Sequence, residues 1–137
     1  MRKIIIILLT LCSLFVSCAS TSGVDTETEK SYTFKLSNCN KKEIYVVDDP
    51  ILRERFNTFN ELYFKNKLRV DYIGYMEEVY NDNGQVGGWA ICNPNEFHRN
   101  IYGITIDSTL KDSAKDSTLL HEMVHIYFYQ KNMFTEL

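Results

Sequence analysis

The chain has no excess of basic residues, no apolar run long enough to cross a bilayer, no closely spaced cysteine pair and no internal repeat. Each absence removes a class of function. Lys and Arg number 15 against 18 Asp and Glu, a net charge of -3. Nucleic-acid binding needs clustered bases to replace phosphate counterions, so no nucleic-acid partner is expected. The one long apolar stretch, Ile4 to Val16, is interrupted by Thr10, Cys12 and Ser13. It falls short of the roughly 20 residues a transmembrane helix requires. The four cysteines, Cys12, Cys18, Cys39 and Cys92, have spacings that match no metal-binding motif. What remains is 137 residues, 45% hydrophobic and 24% charged, ordinary values for one small globular domain with a core enriched to 13% aromatic.

The first residues read as an address. Arg2 and Lys3 form a positive n-region, Ile4 to Val16 has the length of a signal-peptide h-region, and Leu14-Phe15-Val16-Ser17-Cys18-Ala19-Ser20 resembles a bacterial lipoprotein box. Residues 1–17 are expected to be a signal peptide, with Cys18 as lipid acceptor and residues 18–30 as a flexible Ser-, Thr- and acid-rich tether. Processing removes Arg2 and Lys3 from the 15 bases and none of the 18 acids, so the mature chain is more acidic still. The expected location is the cell envelope, anchored to membrane. Export also permits a disulfide between Cys39 and Cys92, with two unpaired thiols as the alternative.

Residues 31–137 form the expected domain. Tyr32, Phe34 and Leu36 alternate with polar residues as in a half-buried strand, and Ile44 to Val47 is a second β-prone run. Asp48-Asp49-Pro50 is a helix-start signal. Leu52, Phe56, Phe59 and Tyr63 then mark one face of an amphipathic helix over roughly Pro50 to Phe64. Leu68, Val70 and Tyr72 alternate as a strand. A run from Met76 to Tyr80 reaches the turn Asn81-Asp82-Asn83-Gly84, with Gln85 to Cys92 as the return strand. Gly87-Gly88 within it marks a bulge or a close backbone approach. Ile101 to Ile106 is a further strand. Ser113 and Asp116 resemble a capping box, opening a helix whose apolar residues Leu119, Leu120, Met123, Val124, Ile126, Tyr127 and Phe128 cover nearly its whole circumference, so it is expected to be buried. The order gives an α+β fold: a small antiparallel or mixed sheet packed on an N-terminal helix and a buried second helix.

That second helix carries His121-Glu122-Met123-Val124-His125. Two histidines four residues apart project from one helix face, one turn apart, and both imidazoles can reach a single Zn²⁺. Glu122 beside them can act as general base toward a water whose pKa zinc lowers to about 7. The bland alternative is two satisfied histidines and a solvated glutamate on a core helix.

With the helix placed, its flanks can be compared. Residues Phe56 to Leu68 look like the opening helix and first strand of SprT-like zinc metallopeptidases. Ile104-Thr105-Ile106-Asp107-Ser108-Thr109-Leu110 is similar to the strand and loop before their zinc helix, and Thr118 to His125 to the zinc helix itself. The resemblance runs from about Asp49 to Gln130. It implies a zincin-like fold, His121 and His125 as zinc ligands, Glu122 as catalytic base, a peptide or protein substrate, and the strand Ile101 to Ile106 as the edge along which that substrate lies. It also calls for a third ligand, a histidine well beyond the zinc helix. Twelve residues follow His125 and none is histidine. By type, Glu136 downstream and His98 upstream can serve; a shortened relative, a fragment or a partner-dependent site are the alternatives. The missing ligand leaves room for a second reading, a non-catalytic peptidase-fold module that holds a peptide without cutting it, and for a third, a surface lipoprotein without metal. Trp89 is expected as a core or hairpin aromatic rather than a cleft residue. Tyr127 and Tyr129 are expected to pack rather than to assist catalysis, and Glu77-Glu78 to be a solvated pair.

Overall fold

The computed structural model describes residues 28–36, 40–94, 97 and 99–132. The expected signal peptide, Cys18, most of the expected tether, Cys39, His98 and Glu136 lie outside the described residues. Strands β1 (Ser31–Lys35) and β2 (Glu43–Val47) pair as an antiparallel hairpin. Helix α1 (Pro50–Phe64) follows, then β3 (Tyr72–Met76). A two-stranded ribbon of β4 (Val79–Asn81) and β5 (Gly84–Val86) leads into β6 (Gly88–Pro94), β7 (Asn100–Asp107) and helix α2 (Asp112–Gln130). The main sheet has the order β3-β7-β6, with β7 parallel to β3 and antiparallel to β6. The fold is α+β, as its sequence pattern implies.

The main sheet is buried on both faces. Tyr102, Ile104 and Ile106 of β7, Ile73 of β3 and Ala90 of β6 meet Leu52 and Phe56 of α1 and Leu119, Met123 and Ile126 of α2. Met76 and Ile91, on the opposite face, meet Phe34, Ile44 and Val46 of the β1–β2 hairpin. Strand alternation sends successive side chains into these two cores. The hairpin approaches closely enough that a Cβ on Gly103 would enter the Phe34 ring.

Helix α1 begins as its sequence signal implies. The Asp49 carboxylate accepts from the Ile51 and Leu52 amides at 3.0 and 2.9 Å, and Pro50 needs no partner for a missing N–H. Its buried stripe, however, runs through Leu52, Phe56 and Asn60, and Tyr63 is exposed. Asn60 can be buried because Leu68 satisfies it at both ends: its amide donates to Leu68 O at 3.0 Å and its carbonyl accepts from Leu68 N at 3.1 Å.

Several boundaries differ from expectation. Leu68 and Val70 are buried but precede the strand, which starts at Tyr72; their alternation reflects one face turned to the core, without a ladder partner. The expected long hairpin is only the β4–β5 ribbon, because β6 turns away after Gly87 to pair with β7. Ser113 lies inside α2, whose N-cap position is Lys111 with no side-chain cap bond. Asp116 instead meets Arg55 of α1 at 2.7 Å. Nor is α2 buried all round: Leu119, Glu122, Met123 and Ile126 are buried, whereas His121 and Val124 are exposed. Only one side of the helix has a layer to pack on, since the main sheet presents a single face to it.

Candidate functional site

Helix α2 lies with one flank against the core and the next along β6. The side chains of Thr118, His121, Glu122, His125 and Tyr129, spaced three to four residues apart, form a single stripe. That stripe borders a cleft of about 580 Å³, whose opposite wall is Gly87 to Ala90 and whose end is closed by Asn81, Asn83 and Gln85 of the β4–β5 ribbon.

Gly88 permits the strand to come this close to the helix. A Cβ there would stand 2.8 Å from Thr118 Cγ2, 3.0 Å from Thr105 O and 3.1 Å from Glu122 Cγ. Any larger residue would push β6 away from Glu122. Of the two sequence readings of Gly87-Gly88, close backbone approach is the one realised.

The two histidines face each other, Nε2 to Nε2 at 3.0 Å with rings 4.7 Å apart and edge-on. Two nitrogens held at about 2.0–2.1 Å by one tetrahedral zinc stand about 3.3 Å apart, a little wider than the hydrogen-bonded pair, so a small opening of the rings would admit the ion. Burial, and after it the neighbouring His121, hold His125 below the ordinary histidine value, which favours the neutral form that binds metals. Glu122 is only 6% exposed. Burial pushes its carboxyl up to about 7, against the pull of a hydrogen bond from the Ala90 backbone N–H. A carboxyl poised there takes and releases protons near neutrality.

Among the described residues no three or more His, Cys, Asp or Glu side chains are gathered as a metal site. His121 and His125 fit two positions around a zinc ion. The two other candidates by type, His98 and Glu136, lie outside the described residues. Cys92 is a free, half-buried thiol, its pKa raised by burial.

The residues Ile101 to Ile106, expected to form the substrate edge, are instead in the central strand of the sheet. Their backbone groups are paired with β3 on one side and β6 on the other. The strand bordering the cleft is β6, and no signal short of the strand order distinguishes the two. Trp89 does both of the things weighed for it: it packs against the Phe34 core and borders the cleft. Tyr127 packs against Phe64, with ring centroids 6.2 Å apart. Tyr129, by contrast, lines the cleft, with its hydroxyl 3.4 Å from Ala90 O. Glu77 and Glu78 are exposed. Sequence reasoning passed over Ala90 and the amide side chains at the cleft's end; an alanine acting through its backbone leaves no trace in side-chain patterns.

Comparison with protein-family models, with curated proteins and with solved structures finds no match to this chain.

Proposed function

We propose that the cleft is the active site of a zinc-dependent peptidase of SprT-like, zincin type, carried by an exported lipoprotein anchored through Cys18. The observation that carries this reading is the α2 stripe: two imidazole nitrogens 3.0 Å apart, with a buried carboxyl next to them in an open cleft. His121 and His125 would hold the ion, with a further ligand from outside the described residues. Zinc at such a site supplies Lewis acidity, polarising a carbonyl and making a water easier to deprotonate. Glu122 takes the proton from the attacking water and delivers it to the leaving amine. Its low exposure keeps bulk water from competing for that proton, and the Ala90 N–H on the facing strand favours its charged form. An extended peptide would lie along β6, the strand at the cleft, by strand addition.

A specific observation favours a second reading, a module that binds peptide without cutting it: only two metal-type ligands come together among the described residues. Two protein ligands hold zinc more weakly than the usual three. The experiment that separates the readings uses the full-length chain in detergent. Zinc content is measured in wild type and in His121→Ala and His125→Ala, and cleavage of unfolded casein is followed with zinc and with chelator. The peptidase reading expects close to one zinc per chain, lost in either variant, with chelator-sensitive cleavage. Zinc content unchanged in both variants, or cleavage that resists chelation, would sink it. Casein binding without cleavage would establish the module instead.

A further inference from the structure

The fold explains every glycine among the described residues except one. A Cβ on Gly74 would collide with the Val47 carbonyl and one on Gly103 with the Phe34 ring; Gly84 has a φ of +121°, and Gly88 admits α2. Gly87 has none of these reasons. Its φ is not left-handed. A Cβ there would meet Leu110 Cδ1 at 3.5 Å and Thr118 Cγ2 and Oγ1 at 3.8 Å, ordinary van der Waals distances. Its carbonyl accepts from the Asp107 N–H at 2.8 Å, a bond that any residue makes equally well. Yet glycine carries a cost here, because it gives up more conformational freedom on folding than any other residue. A strand glycine without a packing reason points to another chain or ligand coming close. Gly87 lies on the wall of the cleft, and so does Thr118, beside which its missing side chain would stand. Glu122 and the two histidines apart, the side chains lining the cleft are uncharged. Such walls do not sort a substrate by charge; what they can contact in any polypeptide is its main chain.

We propose that Gly87 determines specificity by its bare Cα: the substrate main chain passes in van der Waals contact with it, so the cleft takes unfolded, extended polypeptide. The proposal rests on the reading of the cleft as a peptidase site. A helix sheathes its backbone in side chains and is about 10–12 Å across, so a folded substrate cannot bring its main chain so near. An extended segment can. A methyl on residue 87 would occupy the space that the passing chain needs, while the fold itself would accept it. Stability and binding should therefore respond to that methyl with opposite signs.

The test uses full-length protein in detergent with zinc chloride, and fluorescein-labelled unfolded casein as probe. The Glu122→Gln background prevents cleavage, and anisotropy gives affinity with and without an added Gly87→Ala. Urea unfolding gives the stability of the same two chains. Gly87→Ala should raise the folding equilibrium constant about twofold to fivefold, the usual gain where alanine fits the native backbone. It should weaken casein binding about tenfold, the scale of one intruding methyl group. Zinc content should stay level between the two chains, since Gly87 supplies no metal-binding side chain. Casein affinity unchanged or tightened by Gly87→Ala would show that nothing passes close to residue 87 and overturns the proposal. A lower folding constant in Gly87→Ala would give the glycine a purely structural reason and overturns it as well. The two levels of failure are distinct. If Glu122→Gln does not bind casein, the reading of the cleft as a peptidase site falls and takes the role of Gly87 with it. If it binds and the methyl makes no difference, the role of Gly87 alone falls.

Discussion

Asp107 and Glu122 are both carboxylates withdrawn from solvent, one at the end of β7 and the other in the middle of α2, and their surroundings are opposite. Asp107 is fully provided for. One oxygen accepts from the Thr109 N–H at 2.8 Å and the Thr109 hydroxyl at 2.7 Å; the other accepts from the Gln85 amide at 2.8 Å. Burial pushes its pKa up, but the Thr109 and Gln85 bonds outweigh burial and hold it below the ordinary aspartate value. Glu122 has the Ala90 N–H and the cleft, and it is pushed up to about 7. A buried carboxylate whose donors come from its own fold is a structural part, here tying the β4–β5 ribbon to the end of β7. One left facing an open cleft with few donors remains available for chemistry.

The sharpest way to test that contrast is to remove the charge from each. Glu122→Gln should cost about 10²-fold or more in casein cleavage, the scale of a lost general base, while zinc content stays at the wild-type level. Cleavage retained at the wild-type rate would place the base elsewhere. In the same assay Asp107→Asn should lose far less, since it touches the cleft only through Gln85.

Stability should respond in the reverse order. Asp107→Ala leaves three donors without their acceptor and is expected to cost about 1–3 kcal/mol, read from urea midpoints. Glu122→Gln should leave the midpoint of the zinc-free chain unchanged or raise it, because a neutral amide is easier to bury than a carboxylate. A Glu122→Gln chain destabilised as much as Asp107→Ala would erase the distinction between the two sites.

Gly88→Ala probes the approach of β6 to α2 rather than either charge. The new methyl must displace Thr118 or Glu122, at about 1–3 kcal/mol of overpacking. Its effect on cleavage should exceed its effect on stability, because Glu122 is one of the groups it moves. Comparable wild-type cleavage in a folded Gly88→Ala chain would show that the close approach is not needed for activity.

The smallest expected effect is in acid. The Asp107 pKa is lower folded than unfolded, so its contribution is present above the unfolded value, near 3.9, and is lost as pH falls through the folded value. Asp107→Asn should flatten the acid side of the stability profile below about pH 4. A wild-type and variant pair with parallel acid limbs would mean that another group carries the titration.

How much of this was legible in the sequence differs by region. Helix α1 was readable because Asp49 and Pro50 signal its start through local geometry alone. The histidine pair was readable because a spacing of four residues on a helix has only one geometric outcome. The strand order was not. Ile101 to Ile106 looks like an edge or a central strand equally well, since which neighbour lies beyond β7 depends on the path of β3 some thirty residues earlier. The burial of α2 was overestimated for a related reason: Val124 and Phe128 make it look apolar all round, but the sheet supplies only one surface. Asn60 was missed because a polar residue on a helix reads as solvated until its partner, Leu68 in a later turn, is in place.

The central position of β7 has a consequence for how the domain opens. Its amides point to partners on both sides, so they can meet solvent only when β3 or β6 separates from it. They should therefore be among the last to exchange with heavy water, at rates set by global unfolding. The Ala90 amide lies in the neighbouring strand but points away from β7, toward the Glu122 carboxyl. It should exchange through a local swing of that carboxyl, many times faster than Ile104 directly across the ladder, and the gap between the two amides measures how freely the cleft can let its own edge go.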